Sequence, residues 1–390
     1  MKKSISILGS TGSIGINTLS IINKKKFFFD VYLLSANKNY KLIYDQIKKY
    51  KPKYFIINNN KVFLKIKKKL KSRNTIILES FKKLKIKKKI DITVTAIPGI
   101  AGLEPTVTSL KFSKKILIAN KESVICGWEL IKKEALKNKT EIVPVDSEHF
   151  AISKLINNHN MFEIRKIYIT ASGGPFLNYN LKQLKKIRPK EALKHPKWKM
   201  GKKISIDSAT LMNKIFELDE AKKLFNIPEK KIDILIHPNS LVHAIVEFKN
   251  GLTKFIYHDT SMVIPLANAI FEKNIDINNF FLKKKKKISF ENLIFKKVDP
   301  KIFPVIKLRK KFDQFPSSSI IINASNEVLV DKFLREKIPF LGIFKIIKTI
   351  LNDRNYKKYA IRNPRNIKEI NKIDLWAKNK TLKLTEKIYE

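Results

Sequence analysis

The stretch LGSTGSIG, residues 8–15, follows the apolar run SISIL and precedes INTLSIIN, whose apolar residues have helical spacing. A glycine-punctuated turn between a strand and a helix aims backbone N–H groups at an anion, above all a phosphate. Read this way, the chain opens with one strand–turn–helix unit of a parallel sheet, and more such units should follow. Between residues 5 and 145 the short β-rich runs SISIL, VYLLSA, KYFIIN, NTIIL, DITVTA, KILIA and EIVPV alternate with polar segments of helix length. That alternation predicts a parallel sheet wrapped by helices.

Downstream the pattern changes. Residues 146–276 mix RKIYITAS, a long helical pattern over 208–225, and the strand-like runs DILIHP, HAIVEF and TKFIYH. A lysine-rich stretch over 277–299 reads as a linker, and residues 300–390 show helical spacing. The expected fold class is α/β. It comprises a Rossmann-like N-terminal domain (1–145), a central α+β domain (146–276), the linker, and a C-terminal all-α domain (300–390).

The charge is unusual: 81 Lys+Arg against 34 Asp+Glu, a formal net charge of +47. Such an excess normally points to nucleic acid or a membrane surface. Here it is spread along the chain, as in KLKIKKKI and FLKKKKKI, beside abundant Ile, Asn and Phe. These residues share A/T-rich codons, so base composition accounts for the excess. No lysine run is interleaved with aromatics as a base-stacking platform would be, and a solvated lysine face is the reading adopted. The single cysteine, Cys126, excludes an intrachain disulfide and points to a reducing compartment. The apolar start is too short for a signal segment, and no run of about 18 apolar residues exists, so a cytoplasmic protein without a membrane partner is expected.

Gly9, Gly12 and Gly15 form G-x-x-G-x-x-G. Their jobs would be a tight turn, close approach of backbone to a diphosphate, and close helix–strand packing. In NAD-binding sheets an acid at the end of the second strand takes the ribose 2′-hydroxyl. Here VYLLSANKN ends in Ser35, Ala36, Asn37, Lys38 and Asn39, with a cation and no acid, which favours NADP over NAD.

Two further stretches carry polar chemistry. In VPVDSEH, Asp146 and Glu148 follow a strand and point to one side. In SATLMNKIFELDEAKK, Asn213, Lys214 and Glu217 share one helix face. Asp146, Glu148 and Glu217 read either as a hard oxygen site for Mg²⁺ or Mn²⁺, or as a surface pair plus a solvated helix acid; spacing alone does not choose. Ser172, Gly173 and Gly174 after a strand suit an anion-binding turn. Ser208 is placed as the N-cap of the Asn213/Lys214 helix. HPKWKMGKK, cationic and punctuated by Pro and Gly, reads as a mobile lid, with Trp198 either a packed anchor or a residue closing over a ligand.

Together LGSTGSIG, ANKES, PVDSEH, SGGPF, HPKWKMGKKISIDSATLMNK, LIHPNSLVH and NASNE (323–327) resemble the 1-deoxy-D-xylulose 5-phosphate reductoisomerase family, collinearly from the first strand to the last helices. The resemblance implies an NADPH-dependent oxidoreductase of the non-mevalonate isoprenoid pathway. Its substrate is a keto-sugar phosphate, rearranged and reduced to 2-C-methyl-D-erythritol 4-phosphate. It implies that Thr11, Gly12, Ser13 and Ile14 hold the NADPH diphosphate, and that Asn37, Lys38 and Asn39 take the adenosine phosphate side. Asn120, Glu122 and Gly201 also line the cofactor. Asp146, Glu148 and Glu217 would ligate Mg²⁺ or Mn²⁺, with Glu148, Lys121 and His195 in catalytic roles. Lys121, Ser147, Ser172, His195, Ser208, Asn213, Lys214 and Glu217 would contact substrate. A homodimer is implied as well.

Two departures stand out: Asn37 where the family usually has Gly, and Ile215-Phe216 where it has Gly-Leu. Asn tolerates a left-handed backbone, so the turn should survive. Ile215 and Phe216 would add bulk beside a metal ligand. The rival enzymatic reading, another NADP-dependent oxidoreductase of semialdehyde type, needs a nucleophilic cysteine with a base, and Cys126 has no evident partner in sequence. The other rival is a basic nucleic-acid-binding protein, distinguished by steeply salt-dependent retention on DNA.

Overall fold

All seven apolar runs of the first part become strands of one parallel sheet: β1 (Lys3–Leu8), β2 (Phe29–Ala36), β3 (Tyr54–Ile57), β4 (Ile76–Leu78), β5 (Ile90–Thr95), β6 (Ser113–Ile118) and β7 (Glu141–Pro144). Their order is β4-β3-β2-β1-β5-β6-β7, the Rossmann-like arrangement. The chain runs outward from β1 to β4, then returns to the other side of β1, so a switch point falls between β1 and β5. Because the strands are parallel, every loop leaving a strand's carboxyl end lies on one edge. The glycine turn, residues 37–39, residue 120 and Asp146 follow β1, β2, β6 and β7, and so share that edge.

This computed structural model describes residues 2–70, 74–86, 88–198, 200–272, 276–277 and 293–389. They gather into two units, one within Met1–Ser123, Trp128–Phe150 and Ser261–Ile288, the other within Val124–Gly127, Ala151–Thr260 and Ser289–Glu390. Most of the expected linker, including the lysine run at 283–287, lies outside the described residues. Its described end is not a simple connector, since β12 (Lys296–Lys297) pairs antiparallel with a strand of a second sheet. A second difference concerns the helix Val263–Phe271, expected with the central domain. Leu266, Ala267 and Ile270 belong instead to the core of the first sheet, and Phe271 meets Phe29 edge-on at 5.5 Å. Mean apolarity of this short helix demands burial but does not say against which sheet.

The second unit holds a five-stranded mixed sheet, order β11-β10-β8-β9-β12, from β8 (Ile164–Ala171), β9 (Ile232–Ile236), β10 (Val242–Phe248), β11 (Thr253–Tyr257) and β12. Helices α1 (Ser13–Lys24) to α4 (Leu103–Leu110) follow strands of the first sheet, with α2 at Tyr40–Tyr50 and α3 at Asn60–Lys69. Next come α5 (Lys121–Asn138), kinked at Gly127, and α6 (Ser147–Leu155). In the second unit α7 (Leu181–Leu184), α8 (Pro189–Ala192), α9 (Lys202–Ala209) and α10 (Met212–Phe225) precede β9. The carboxyl-terminal part is helical, with Ser318–Leu334 packed against Ile367–Tyr389. Among the described residues no helix is long and apolar enough to cross a membrane.

The opening turn is built as its glycines require. Gly9 has φ +90°, and a Cβ there would stand 2.6 Å from the Ala96 carbonyl oxygen. A Cβ on Gly15 would collide with the backbone of Gly9 and Ser10, so the helix could not sit so close to the turn. Ser35 at the end of β2 clamps the turn: its carbonyl accepts from the N–H groups of Gly9 (3.0 Å) and Ser10 (2.8 Å). The buried Ser10 hydroxyl donates to Gln46 Oε1 at 2.6 Å, and Gln46 Nε2 returns a bond to the Ser10 carbonyl at 2.9 Å. Gly9→Ala combines a disfavoured φ with a backbone overlap, each worth roughly 1–3 kcal/mol. A lowered thermal midpoint is expected; a wild-type melting curve would show that the turn is not under this constraint.

Candidate active site

In the first unit, Gly12 caps α1 with extended backbone and no side-chain hydrogen bond, so the first N–H groups of a 12-residue helix face outward. Gly12 and Ser13 are exposed, Thr11 and Ile14 partly so. Asn37, Lys38 and Asn39 are exposed on the same sheet edge. Asn39 is committed to α2, where its Oδ1 accepts from Leu42 N at 3.2 Å. Asn37 is not among the residues with positive φ, which corrects the reason given above for its tolerance: this turn needs no left-handed residue there, and a side chain meets no backbone penalty.

Asn120 is buried and fully engaged. Its Oδ1 caps α5 by accepting from Ser123 N at 2.7 Å, while Nδ2 donates to the carbonyls of Ile97 and Gly99 and, at 3.3 Å, to Glu122 Oε2. Lys121, next on α5, places Nζ 3.8 Å from Asp146 Oδ2. Asp146 stands just before α6 and its Oδ1 accepts from Glu148 N at 3.3 Å. Oxygens of Asp146 and Glu148 lie within 4.8 Å of each other. Two carboxylates this close repel unless a cation is near, and Lys121 supplies one. Ser147 donates to Glu148 Oε2 at 2.5 Å. His149 received no role from sequence reasoning. It is fully buried, with Nδ1 3.5 Å from Asp146 Oδ1; its place in VPVDSEH was the available signal.

In the second unit the phosphate-class residues converge. His195 Nδ1 accepts from the backbone N–H groups of Lys197 (3.2 Å) and Trp198 (2.9 Å). An accepting Nδ1 puts the proton on Nε2, which lies 3.0 Å from Ser172 Oγ and therefore donates to it. Ser172 Oγ also accepts from Gly174 N at 3.0 Å, so the hydroxyl proton is left to point outward. Burial, reinforced by the Lys214 ammonium, holds the His195 pKa down at about 4, consistent with a neutral ring. The Ser172–Gly174 turn lies against α9: a Cβ on Gly174 would be 3.0 Å from the Ser208 carbonyl oxygen. Trp198 is half-buried and meets His243 edge-on at 6.3 Å, the packed-anchor reading. Gly201 caps α9 without a side-chain bond and with open space where a Cβ would be.

One expectation fails. Ser208 is not the N-cap of the Asn213/Lys214 helix but sits in the last turn of α9. The expected continuous pattern over 208–225 is broken by Leu211, at φ +67°, which caps α10. Helical spacing continues across the break, so periodicity could not reveal it. On α10 the shared face is as expected: Lys214 Nζ lies 2.6 Å from Glu217 Oε2, and Asn213 Nδ2 donates to Glu217 Oε1. Glu217 is 2% exposed. Ile215 and Phe216 are buried, Phe216 packing edge-on against Phe312 at 5.8 Å. The extra bulk of this departure is taken up by an aromatic pair. Cys126 is buried, out of reach of a substrate arriving from solvent.

Known proteins share these features. Residues 5–127 match the 1-deoxy-D-xylulose 5-phosphate reductoisomerase family, and residues 142–225 and 259–380 match its two C-terminal domains. The 1-deoxy-D-xylulose 5-phosphate reductoisomerase of Pelagibacter ubique is 46% identical over 381 residues, covering 95% of this chain and 97% of the relative. That of the Wolbachia of Drosophila simulans is 39% identical over 353 residues, covering 90% of each. A DOX-P reductoisomerase solved with NADPH, fosmidomycin and magnesium superposes with a TM-score of 0.90 at 32% identity, over 98% of each chain. The Zymomonas mobilis enzyme solved with NADPH gives 0.87 at 32% identity, over 99% of this chain and 100% of the other. With the relatives matched over nearly their whole length, the chain belongs to the 1-deoxy-D-xylulose 5-phosphate reductoisomerase family.

Proposed function

We propose that this chain converts 1-deoxy-D-xylulose 5-phosphate to 2-C-methyl-D-erythritol 4-phosphate, using NADPH and Mg²⁺ or Mn²⁺. The observation that carries the reading is the Ser172–His195 pair set against α9, beside α10 with Lys214 and Glu217. It joins a phosphate-class pocket to a metal-class acid within one unit. Residues 1–145, with the helix Val263–Phe271 in their core, serve as the NADPH domain, and residues 146–260 carry the chemistry. The solved relative with NADPH, fosmidomycin and magnesium supports the same set of ligands.

Asp146, Glu148 and Glu217 form the metal-ligand set. All three offer hard oxygen donors, the class that Mg²⁺ and Mn²⁺ prefer. Bound there, the cation polarises the substrate ketone and offsets oxyanion charge during the skeletal rearrangement. Lys121 holds Asp146 and reaches the substrate backbone, assisted by Ser147. Ser172 donates its free hydroxyl proton to the phosphate, with His195, Ser208, Asn213 and Lys214 completing the phosphate and hydroxyl contacts. Binding energy from this remote group is available for closing the His195–Gly201 segment over the reaction. Thr11, Gly12, Ser13 and Ile14 present the α1 N–H groups to the NADPH diphosphate. Lys38, flanked by Asn37 and Asn39, takes the 2′-phosphate, while Asn120, Glu122 and Gly201 line the rest of the cofactor. The nicotinamide supplies hydride to the rearranged aldehyde. A homodimer in a reducing cytoplasm completes the proposal.

Three tests follow from these assignments. Glu217→Gln should leave NADPH affinity near wild type and cut turnover by roughly two orders of magnitude, because a metal ligand is lost. Wild-type turnover at saturating Mg²⁺ would reject the ligand set. Lys38→Glu should shift the NADPH/NADH preference toward NADH by roughly tenfold or more, since a charged hydrogen bond is worth about 1.5–3 kcal/mol; an unchanged ratio would remove Lys38 from the 2′-phosphate.

The third test concerns protons. With its pKa at about 4, His195 is neutral in the ligand-free protein from pH 5 upward. A second proton would put an N–H on Nδ1 against two backbone N–H donors, so the ring stays neutral in the complex and meets the phosphate through Nε2–H. Calorimetry of a phosphonate substrate analogue at pH 6, in buffers of different ionisation enthalpy, should show the same proton exchange in wild type and in His195→Gln, with weaker binding in the variant. A proton taken up by wild type alone would show that the ring charges on binding, and equal affinity in both proteins would exclude His195 from the phosphate contact.

A further inference from the structure

Asp207 is 2% exposed and lies between two residues given substrate or cofactor roles, Gly201 and Ser208. Its carboxylate is held on both sides. Oδ1 accepts from Asn326 Nδ2 at 2.7 Å, across 119 residues of sequence, and Oδ2 accepts from Lys203 Nζ at 2.8 Å. The same ammonium lies 5.4 Å from the centre of the Phe216 ring on α10. One charged cluster therefore pins three elements together: the first turn of α9, the middle of α10, and the helix Ser318–Leu334.

An ion pair with a buried acid is a poor way to stabilise a fold, because desolvating the carboxylate offsets much of the attraction to a lysine whose side chain is 27% exposed. What it does supply is a defined arrangement. A carboxylate with two directional donors tolerates little rotation, whereas an apolar contact tolerates a good deal. Adjacent residues on a helix project about 100° apart, so the inward bonds of Asp207 determine where Ser208 points. The neighbouring turn leaves little slack, since a Cβ on Gly174 would already touch Ser208 and Ala209. On the other side, Lys203 stands two residues after the α9 cap at Gly201.

We propose that Asp207 is a positioning residue: gripped by Lys203 and Asn326, it sets the rotation of α9 and thereby aims Ser208 at the sugar phosphate. The role rests on the reading of Ser208 as a phosphate contact. It predicts a substrate-binding defect rather than a loss of fold or of hydride chemistry.

Steady-state kinetics of the full chain with NADPH and Mg²⁺ test it. Asp207→Asn keeps an oxygen facing Asn326 but removes the Lys203 charge partner. The Michaelis constant for the keto-sugar phosphate should rise about tenfold, with kcat and NADPH affinity within about twofold of wild type, the split expected when only binding is lost. Lys203→Met should reproduce the defect, and Lys203→Arg should recover most of the affinity. A wild-type Michaelis constant in Asp207→Asn while Ser208→Ala raises it would overturn the positioning role alone. A wild-type constant in Ser208→Ala would overturn the phosphate reading beneath it. Lower yields of active protein with unchanged constants would reduce Asp207 to a fold-stabilising residue and also overturn the proposal.

Discussion

A carboxylate withdrawn from water must be met by donors, or the site that contains it does not persist. Much of the functional architecture follows from that constraint. Glu217 is met by Lys214 and Asn213 from the preceding turn of its own helix. Asp207 is met by Lys203 one turn back and by Asn326 from far along the chain. Asp146 is met by Lys121 from the neighbouring strand's loop and by the Glu148 N–H. In each case the acid is held in place by the groups that donate to it. The acids are thus oriented by the protein's own donors, which leaves little ordering for a ligand to impose.

The Ser172–His195 pair uses the complementary device, which is a fixed tautomer. Two backbone N–H groups on His195 Nδ1 leave the ring one way to be protonated, and Ser172 inherits a defined proton from that choice. Burial and Lys214 keep the ring neutral. The large positive charge is a separate matter. Among the described lysines, those buried are Lys214 and Lys222, both on α10, each paired with acid. Others outside the core lie over surface aromatics, such as Lys65 over Tyr40 and Lys48 over Tyr44. A charge spread in this way attracts anionic ligands over distance while leaving the core unaltered.

Much of this was readable beforehand, for identifiable reasons. Parallel strands buried on both faces are continuous apolar runs, so all seven appeared in the sequence as SISIL to EIVPV. Gly9 and Gly15 are required by backbone overlap, and glycine is the signature that such overlap leaves. The pairing of Asn213, Lys214 and Glu217 depends only on helical period. What escaped notice lacked a local signal. Leu211 breaks α9 from α10 with a left-handed backbone that a leucine does not advertise. The two residues of β12 pair with β9 from within a lysine-rich stretch. His149 is the exception, since its place in VPVDSEH was a signal, but only the fold buries it against Asp146.

The sequence by itself determined the alternation of strand and helix, the glycine turn, the absence of an acid after the second strand, and the shared helix face of Asn213, Lys214 and Glu217. These are properties of spacing and residue type within about one helical turn or one strand. Only the tertiary structure decided that the helix Val263–Phe271 joins the first sheet, that His195 is neutral with its proton on Nε2, and that Asp207 answers to Asn326. Such outcomes depend on which distant groups share a desolvated volume, and a linear chain carries no record of that until it has folded.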